Sequence, residues 1–175
     1  MGLFDKFKKK PAETAQAPAP VVGPIRVLAP VAGRVIPMSE VPDPAFGGEM
    51  LGKGCAVWPE GGRVDVVSPV SGTVTVVMPH AIGLVSDDGA ELLVHVGIDT
   101  VSMRGEGFTG RVAQGEHVAA GALLLAVDLD AVATAGHKDC VVIAVSNSAS
   151  YAEVRLAAAP ESSVAVGDAV LELVK

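Results

Sequence analysis

Short valine-rich runs, cut again and again by glycine, proline or Asp-Gly, leave this chain little choice but an all-β fold. They cover 25–28, 33–36, 55–58, 63–67, 72–78, 82–86, 90–96, 122–127, 141–146 and 163–174, the last broken near Gly167. Such lengths suit strands, and β-branched side chains suit a pleated, half-buried surface. Only 128–135 predicts a short helix. Two internal echoes suggest paired strand–turn units in a sandwich or flattened barrel. Ala29-Pro30-Val31-Ala32-Gly33-Arg34-Val35 resembles Ser68-Pro69-Val70-Ser71-Gly72-Thr73-Val74, and Val112-Ala113-Gln114-Gly115 resembles Val164-Ala165-Val166-Gly167.

Composition narrows the function. The 175 residues allow one domain with a sizeable core plus a tail. A net charge of −7 with no basic stripe beyond the N-terminus argues against nucleic acid. No apolar run approaches the ~20 residues needed to span a bilayer. Cys55 and Cys140 fit no metal spacing and read as small core residues of a reduced compartment. Residues 1–10, MGLFDKFKKK, place Leu3, Phe4 and Phe7 on one side of a helical turn among lysines. That pattern fits a short membrane-surface segment or a solubilising terminus. Residues 11–24 read as a Pro/Ala-rich linker, and the folded domain is expected over 25–175.

The stretch from His80 to Thr100, HAIGLVSDDGAELLVHVGIDT, holds the chemistry. Asp88-Gly89 between apolar runs signals a hairpin with a two-residue type I′ turn. Counting outward pairs Ser86 with Glu91, Val85 with Leu92, Leu84 with Leu93, Gly83 with Val94 and Ile82 with His95. His80 then shares a face with His95 as a diagonal neighbour, with Cβ atoms roughly 7–8 Å apart. A three-residue loop would instead put His80 on the other face unless a bulge restored it. Neutral imidazole is a nucleophile near pH 7, and a second ring can meet the charge of a transferring phosphoryl group. Alternation along one strand also places Met78 on the face of His80. His117 and His137 sit in turn-like contexts and read as surface residues without partners. Biotinyl and lipoyl carrier domains share similar strand–turn phrases, but Lys53 and Lys138 lack the flanking residues those carriers need.

The run Gly89-Ala90-Glu91-Leu92-Leu93-Val94-His95-Val96-Gly97-Ile98-Asp99-Thr100-Val101 resembles the active-site signature of glucose-family enzyme IIA domains of the bacterial phosphoenolpyruvate-dependent sugar phosphotransferase system. The similarity extends to Gly105-Glu106-Gly107-Phe108, to Val41-Pro42-Asp43 with Phe46, to Val142-Ile143 through Asn147, and to the opening MGLFDK. It covers about 25–174. It implies a distorted antiparallel β-sandwich with one or two short helical turns and a shallow apolar face around two histidines. It implies that His95 accepts a phosphoryl group from phospho-HPr on Nε2, that His80 stabilises it, and that a cysteine of an enzyme IIB domain of a sugar permease receives it. Asp43 and Asp99 are then rim charges for partner arginines, and Phe46, Ile82, Leu93 and Val96 form the docking face. No cofactor is required. The unphosphorylated form is expected to regulate transporters or enzymes, and the place of action is the cytoplasm, with the N-terminus at the inner face of the membrane.

One departure from the family pattern is Met78, where a threonine hydroxyl usually supports the first histidine. Two rival readings differ in class. A zinc-dependent hydrolase would use His80 and His95 with Glu91 or Asp99 as a third ligand, although no HExxH or HxH spacing is present. A zinc shared with a partner's carboxylate is a milder form of the same idea. The other rival is a purely non-catalytic interaction module.

Overall fold

A computed structural model describes residues 23–175. The expected segment 1–10 and nearly all of the linker 11–24 lie outside the described residues. Fourteen strands and two short helices follow in order: β1 (Ile25–Leu28), β2 (Gly33–Pro37), α1 (Pro44–Gly47), β3 (Lys53–Pro59), β4 (Arg63–Val67), β5 (Gly72–Val77), β6 (Ala81–Ser86), β7 (Glu91–Val96), β8 (Phe108–Gly110), β9 (His117–Val118), β10 (Leu123–Asp128), α2 (Leu129–Thr134), β11 (Val141–Val145), β12 (Glu153–Leu156), β13 (Ser163–Val164) and β14 (Ala169–Val174). The valine-rich runs become strands nearly where expected, and the fold is an antiparallel β-sandwich. The short strands β8, β9 and β12 and the helix α1 were not foreseen. They lack the valine density on which the sequence reading relied.

The strands form an eight-stranded sheet in the order β13-β2-β3-β11-β7-β6-β5-β9 and two three-stranded sheets, β1-β14-β12 and β4-β10-β8. All pairings are antiparallel. One face of the large sheet packs on the small sheets. Ile82, Leu84, Leu92, Val94, Val96, Val141, Ile143 and Val145 meet Val27, Val66, Leu125, Leu171 and Leu173 in the main core. The opposite face is covered only in part. Met38, Val41 and Phe46 fold back over Ile36, Ala56, Val142 and Ala144 to make a second, smaller cluster. β11 lies beneath both and is buried at every position, which explains its unbroken apolar run Val-Val-Ile-Ala-Val.

The β6–β7 hairpin departs from the expected register by one residue. Val85 pairs with Glu91, Leu84 with Leu92, Gly83 with Leu93, Ile82 with Val94 and Ala81 with His95. The loop takes three residues, Asp87 to Gly89, closed by Gly89 N–H to the Ser86 carbonyl at 2.9 Å and Ser86 N–H to the Ala90 carbonyl at 2.8 Å. A type I′ turn needs positive φ at both central residues. Only Gly89, at +89°, has it; Asp88 does not. Asn147 secures this loop from outside, donating to the Gly89 carbonyl at 3.0 Å and accepting from Glu91 N–H at 3.0 Å.

Candidate functional site

His95 stands near the end of β7, on the face of the large sheet that the small cluster covers only in part. Strand alternation gives Leu93 the same face and sends Val94 and Val96 into the main core. Ala81 lies directly opposite His95, and Gly83 opposite Leu93. Both are small and buried, and Val76, from the bulged part of β5, lies over Gly83.

His80 reaches His95 by a route the strand argument did not contain. Met78 N–H donates to the Ala81 carbonyl at 2.9 Å, so Met78-Pro79-His80-Ala81 is the turn between β5 and β6. Proline with φ pre-set near −65° suits the second position of such a turn. His80 is therefore a turn residue, which frees it from strand alternation. Its carbonyl accepts from Val96 N–H at 2.8 Å, and its ring meets that of His95 edge-on, with centroids 4.9 Å apart and planes at 80°. A three-residue hairpin loop was expected to separate the two rings; the turn at Pro79 is what reunites them. Met78, 46% exposed, is hydrogen-bonded to Ala81 across the turn and shares the side of His95 by that pairing, not by alternation.

Phe46 closes the other flank, its ring centroid 4.9 Å from that of His95. It is presented by α1, whose start is fixed by Asp43. The Asp43 carboxylate accepts from Ala45 N–H at 2.8 Å and Phe46 N–H at 3.0 Å, with Pro44 at the first helical position. An aspartate cap followed by proline is a recognisable helix start. Asp43, expected as a rim charge, is thus the cap of α1, a role its place before Pro44 signals in the sequence.

Burial sets the electrostatics. It pushes His95 down to about 4, helped by the neighbouring His80, while the Gly97 backbone, Asp43 and Asp99 act in the opposite direction. His95 Nδ1 is buried and finds no hydrogen-bond partner of good geometry. Burial also lowers the pKa of His80. Both rings are neutral at pH 7.

The remaining site residues divide. Leu93 is half-buried against the small cluster, and Asp99 is exposed at the start of a 3-10 turn, Thr100–Met103, with φ of +60°. Ile82 and Val96 do not lie on the open face. Both are 0% exposed in the main core, because the one-residue register change turned Ile82 inward and alternation does the same to Val96. Phe46 is 5% exposed, so it supports His95 more than it faces a partner. His117 is exposed and His137 half-buried at the surface, and neither is unpartnered: His117 Nε2 lies 2.9 Å from Asp87 Oδ1 and His137 Nε2 3.0 Å from Ser102 Oγ. Cys55 and Cys140 are buried thiols, each pushed up to about 12, chiefly by burial. Among the described residues no three His, Cys, Asp or Glu side chains gather as a group that could hold a metal ion.

Fold and face together define an antiparallel β-sandwich with two abutting neutral imidazoles at a partly covered sheet surface. The chain belongs to the family described as phosphoenolpyruvate-dependent sugar phosphotransferase system, EIIA 1, whose profile matches residues 25–151. It is 46% identical over 126 residues to the glucose-specific EIICBA component of the phosphotransferase system of Streptococcus pneumoniae serotype 4, covering 71% of this chain and 17% of that protein. It is 40% identical over 148 residues to the β-glucoside-specific EIIBCA component of Bacillus subtilis strain 168, covering 83% and 24%. The chain thus spans about a fifth of the length of these relatives. The solved glucose permease IIA of Mycoplasma capricolum superposes with a TM-score of 0.72 at 35% identity, over 85% of this chain and 95% of that one. Among the described residues no helix is long and apolar enough to cross a membrane.

Proposed function

We propose that this chain is a phosphocarrier in which His95 Nε2 attacks the phosphoryl group of phosphohistidine on HPr. The N–P bond to HPr breaks as the bond to His95 forms, and the group later passes from His95 to a cysteine thiolate of an enzyme IIB domain. The observation that supports this best is the contact of two neutral imidazoles at 4.9 Å. A ring pushed down to about 4 keeps its lone pair at neutral pH, as an acceptor must. His80 stands where its N–H can meet charge on the transferring group. Leu93 and the aliphatic side chains around it suit a docking surface, and Asp99 supplies a charge at its edge. Relatives whose names join EIIA to EIIB and EIIC parts favour an enzyme IIB partner.

The transfer needs no cofactor from this chain, and a zinc at His80 and His95 would require a carboxylate from a partner. The work is cytoplasmic, with residues 1–10 as a contact to the membrane surface. Regulatory binding by the unphosphorylated form would use the same face. Incubation with phosphoenolpyruvate, enzyme I and HPr, followed by intact mass, tests the reading. The expected result is one acid-labile, base-stable phosphoryl group on the wild-type protein and none on His95→Ala. Stable labelling of His95→Ala would overturn it, as would repeated turnover of a small substrate without HPr.

A further inference from the structure

The two histidines are joined through one residue, Val96, whose N–H and carbonyl lie in successive peptide units. Its N–H holds the His80 carbonyl at 2.8 Å, and its own carbonyl accepts from the Thr100 hydroxyl at 2.5 Å. Thr100 is 1% exposed, so water cannot readily replace that hydroxyl. The next residue, Gly97, takes a φ of +74°, and a Cβ there would stand 2.4 Å from Thr100 Cγ2 and 2.8 Å from the Lys138 carbonyl oxygen. The Thr100 methyl thus occupies the space that Gly97 leaves free, while the hydroxyl fixes the peptide just before it. Gly97 N–H donates to the Cys140 carbonyl at 2.8 Å and Ile98 N–H to the Lys138 carbonyl at 3.0 Å, which anchor the segment to the chain leading into β11.

We propose that Thr100 is a positioning residue for phosphoryl transfer: through the Val96 carbonyl it fixes the backbone from which both imidazoles project, and with it their separation. The transfer part of this rests on His95 being the phosphoryl acceptor; the ordering of the rings does not. The Thr100 hydroxyl bonds to the Val96 carbonyl and to neither ring, so its effect reaches the reaction through geometry. Displacements of about 1 Å at a reacting group are enough to slow a reaction by up to about a hundredfold.

Two substitutions separate hydroxyl from methyl. Thr100→Val keeps the shape and removes the donor; Thr100→Ser keeps the donor and removes the methyl. Side-chain 1H–15N correlation spectra of the unphosphorylated proteins report ring order and tautomer, and stopped-time phosphorylation by phospho-HPr reports transfer. Thr100→Ser should match wild type in both. Thr100→Val should fold, show shifted or doubled His80 and His95 ring signals, and accept phosphate about ten- to a hundredfold more slowly at saturating phospho-HPr, with half-saturation unchanged. Wild-type ring signals and rate in Thr100→Val would overturn the proposal. So would a folded Thr100→Ser with disturbed rings, a result that decides the matter even if Thr100→Val fails to fold. A wild-type protein that takes up no phosphoryl group would remove the functional reading and leave the ring signals to judge Thr100 alone.

Discussion

His95 and His80 are held in the form that chemistry on nitrogen needs, and holding them so has a thermodynamic consequence. A histidine in the unfolded chain titrates near 6.5, whereas burial takes folded His95 down to about 4. Between those values the unfolded chain binds a proton that the folded protein refuses, so stability falls as pH drops through this window and is fully present above it. The difference is worth roughly 3 kcal/mol. Replacing His95 by glutamine, which does not titrate, should therefore flatten the loss of stability between about pH 6.5 and 4 relative to wild type. Urea unfolding at several pH values measures this directly. Parallel curves for the two proteins would mean that His95 is not the buried neutral ring described. Carboxylates remote from His95 that titrate in the same range affect both proteins equally and cancel in the comparison.

At the scale of elements, the site depends on two short pieces of backbone that the strand pattern does not announce, the turn at Pro79-His80 and the helix α1. α1 has four residues, too few to be stable without a cap and a packing partner, and Asp43 and Phe46 supply these. Asp43→Ala should cost about 1 kcal/mol, and Asp43→Asn, which can still cap, should recover most of it. Thermal melts should then show a midpoint about 2–4 °C lower for the alanine variant alone. If Asp43→Asn is as unstable as Asp43→Ala, the carboxylate acts through its charge and not as a cap. The sequence made the long strands legible because each is a valine-rich run bounded by turn residues. It made the paired histidines legible too, but by a register that was wrong by one. Asp88-Gly89 alone cannot tell a two-residue turn from a three-residue one, since both accept glycine at the last position. The choice depends on Asn147, which is 58 positions away from the Gly89 carbonyl it binds. That single slip sent Ile82 to the wrong face.

For the whole molecule, the internal echoes correspond to turn units that close alike. In Ala113-Gln114-Gly115-Glu116 the first N–H donates to the Glu116 carboxylate at 2.9 Å; in Ala165-Val166-Gly167-Asp168 it donates to Asp168 at 2.8 Å. The other pair of echoes meets directly, with Leu28 N–H bonded to the Pro69 carbonyl and Val67 N–H to the Pro30 carbonyl, at 2.9 and 3.0 Å. Two similar halves thus tie the small sheets to the large one and leave one outer face of the large sheet only partly covered, which is where the histidines lie. The central claim is that this face carries a phosphoryl group on one atom, Nε2 of His95. Long-range 1H–15N and 31P spectra of the protein after phosphorylation by phospho-HPr test it most directly. The account predicts one phosphohistidine, substituted at Nε2 of His95, with the His80 ring perturbed but unmodified; a phosphoryl group on His95 Nδ1, on His80 or on any other residue would contradict it.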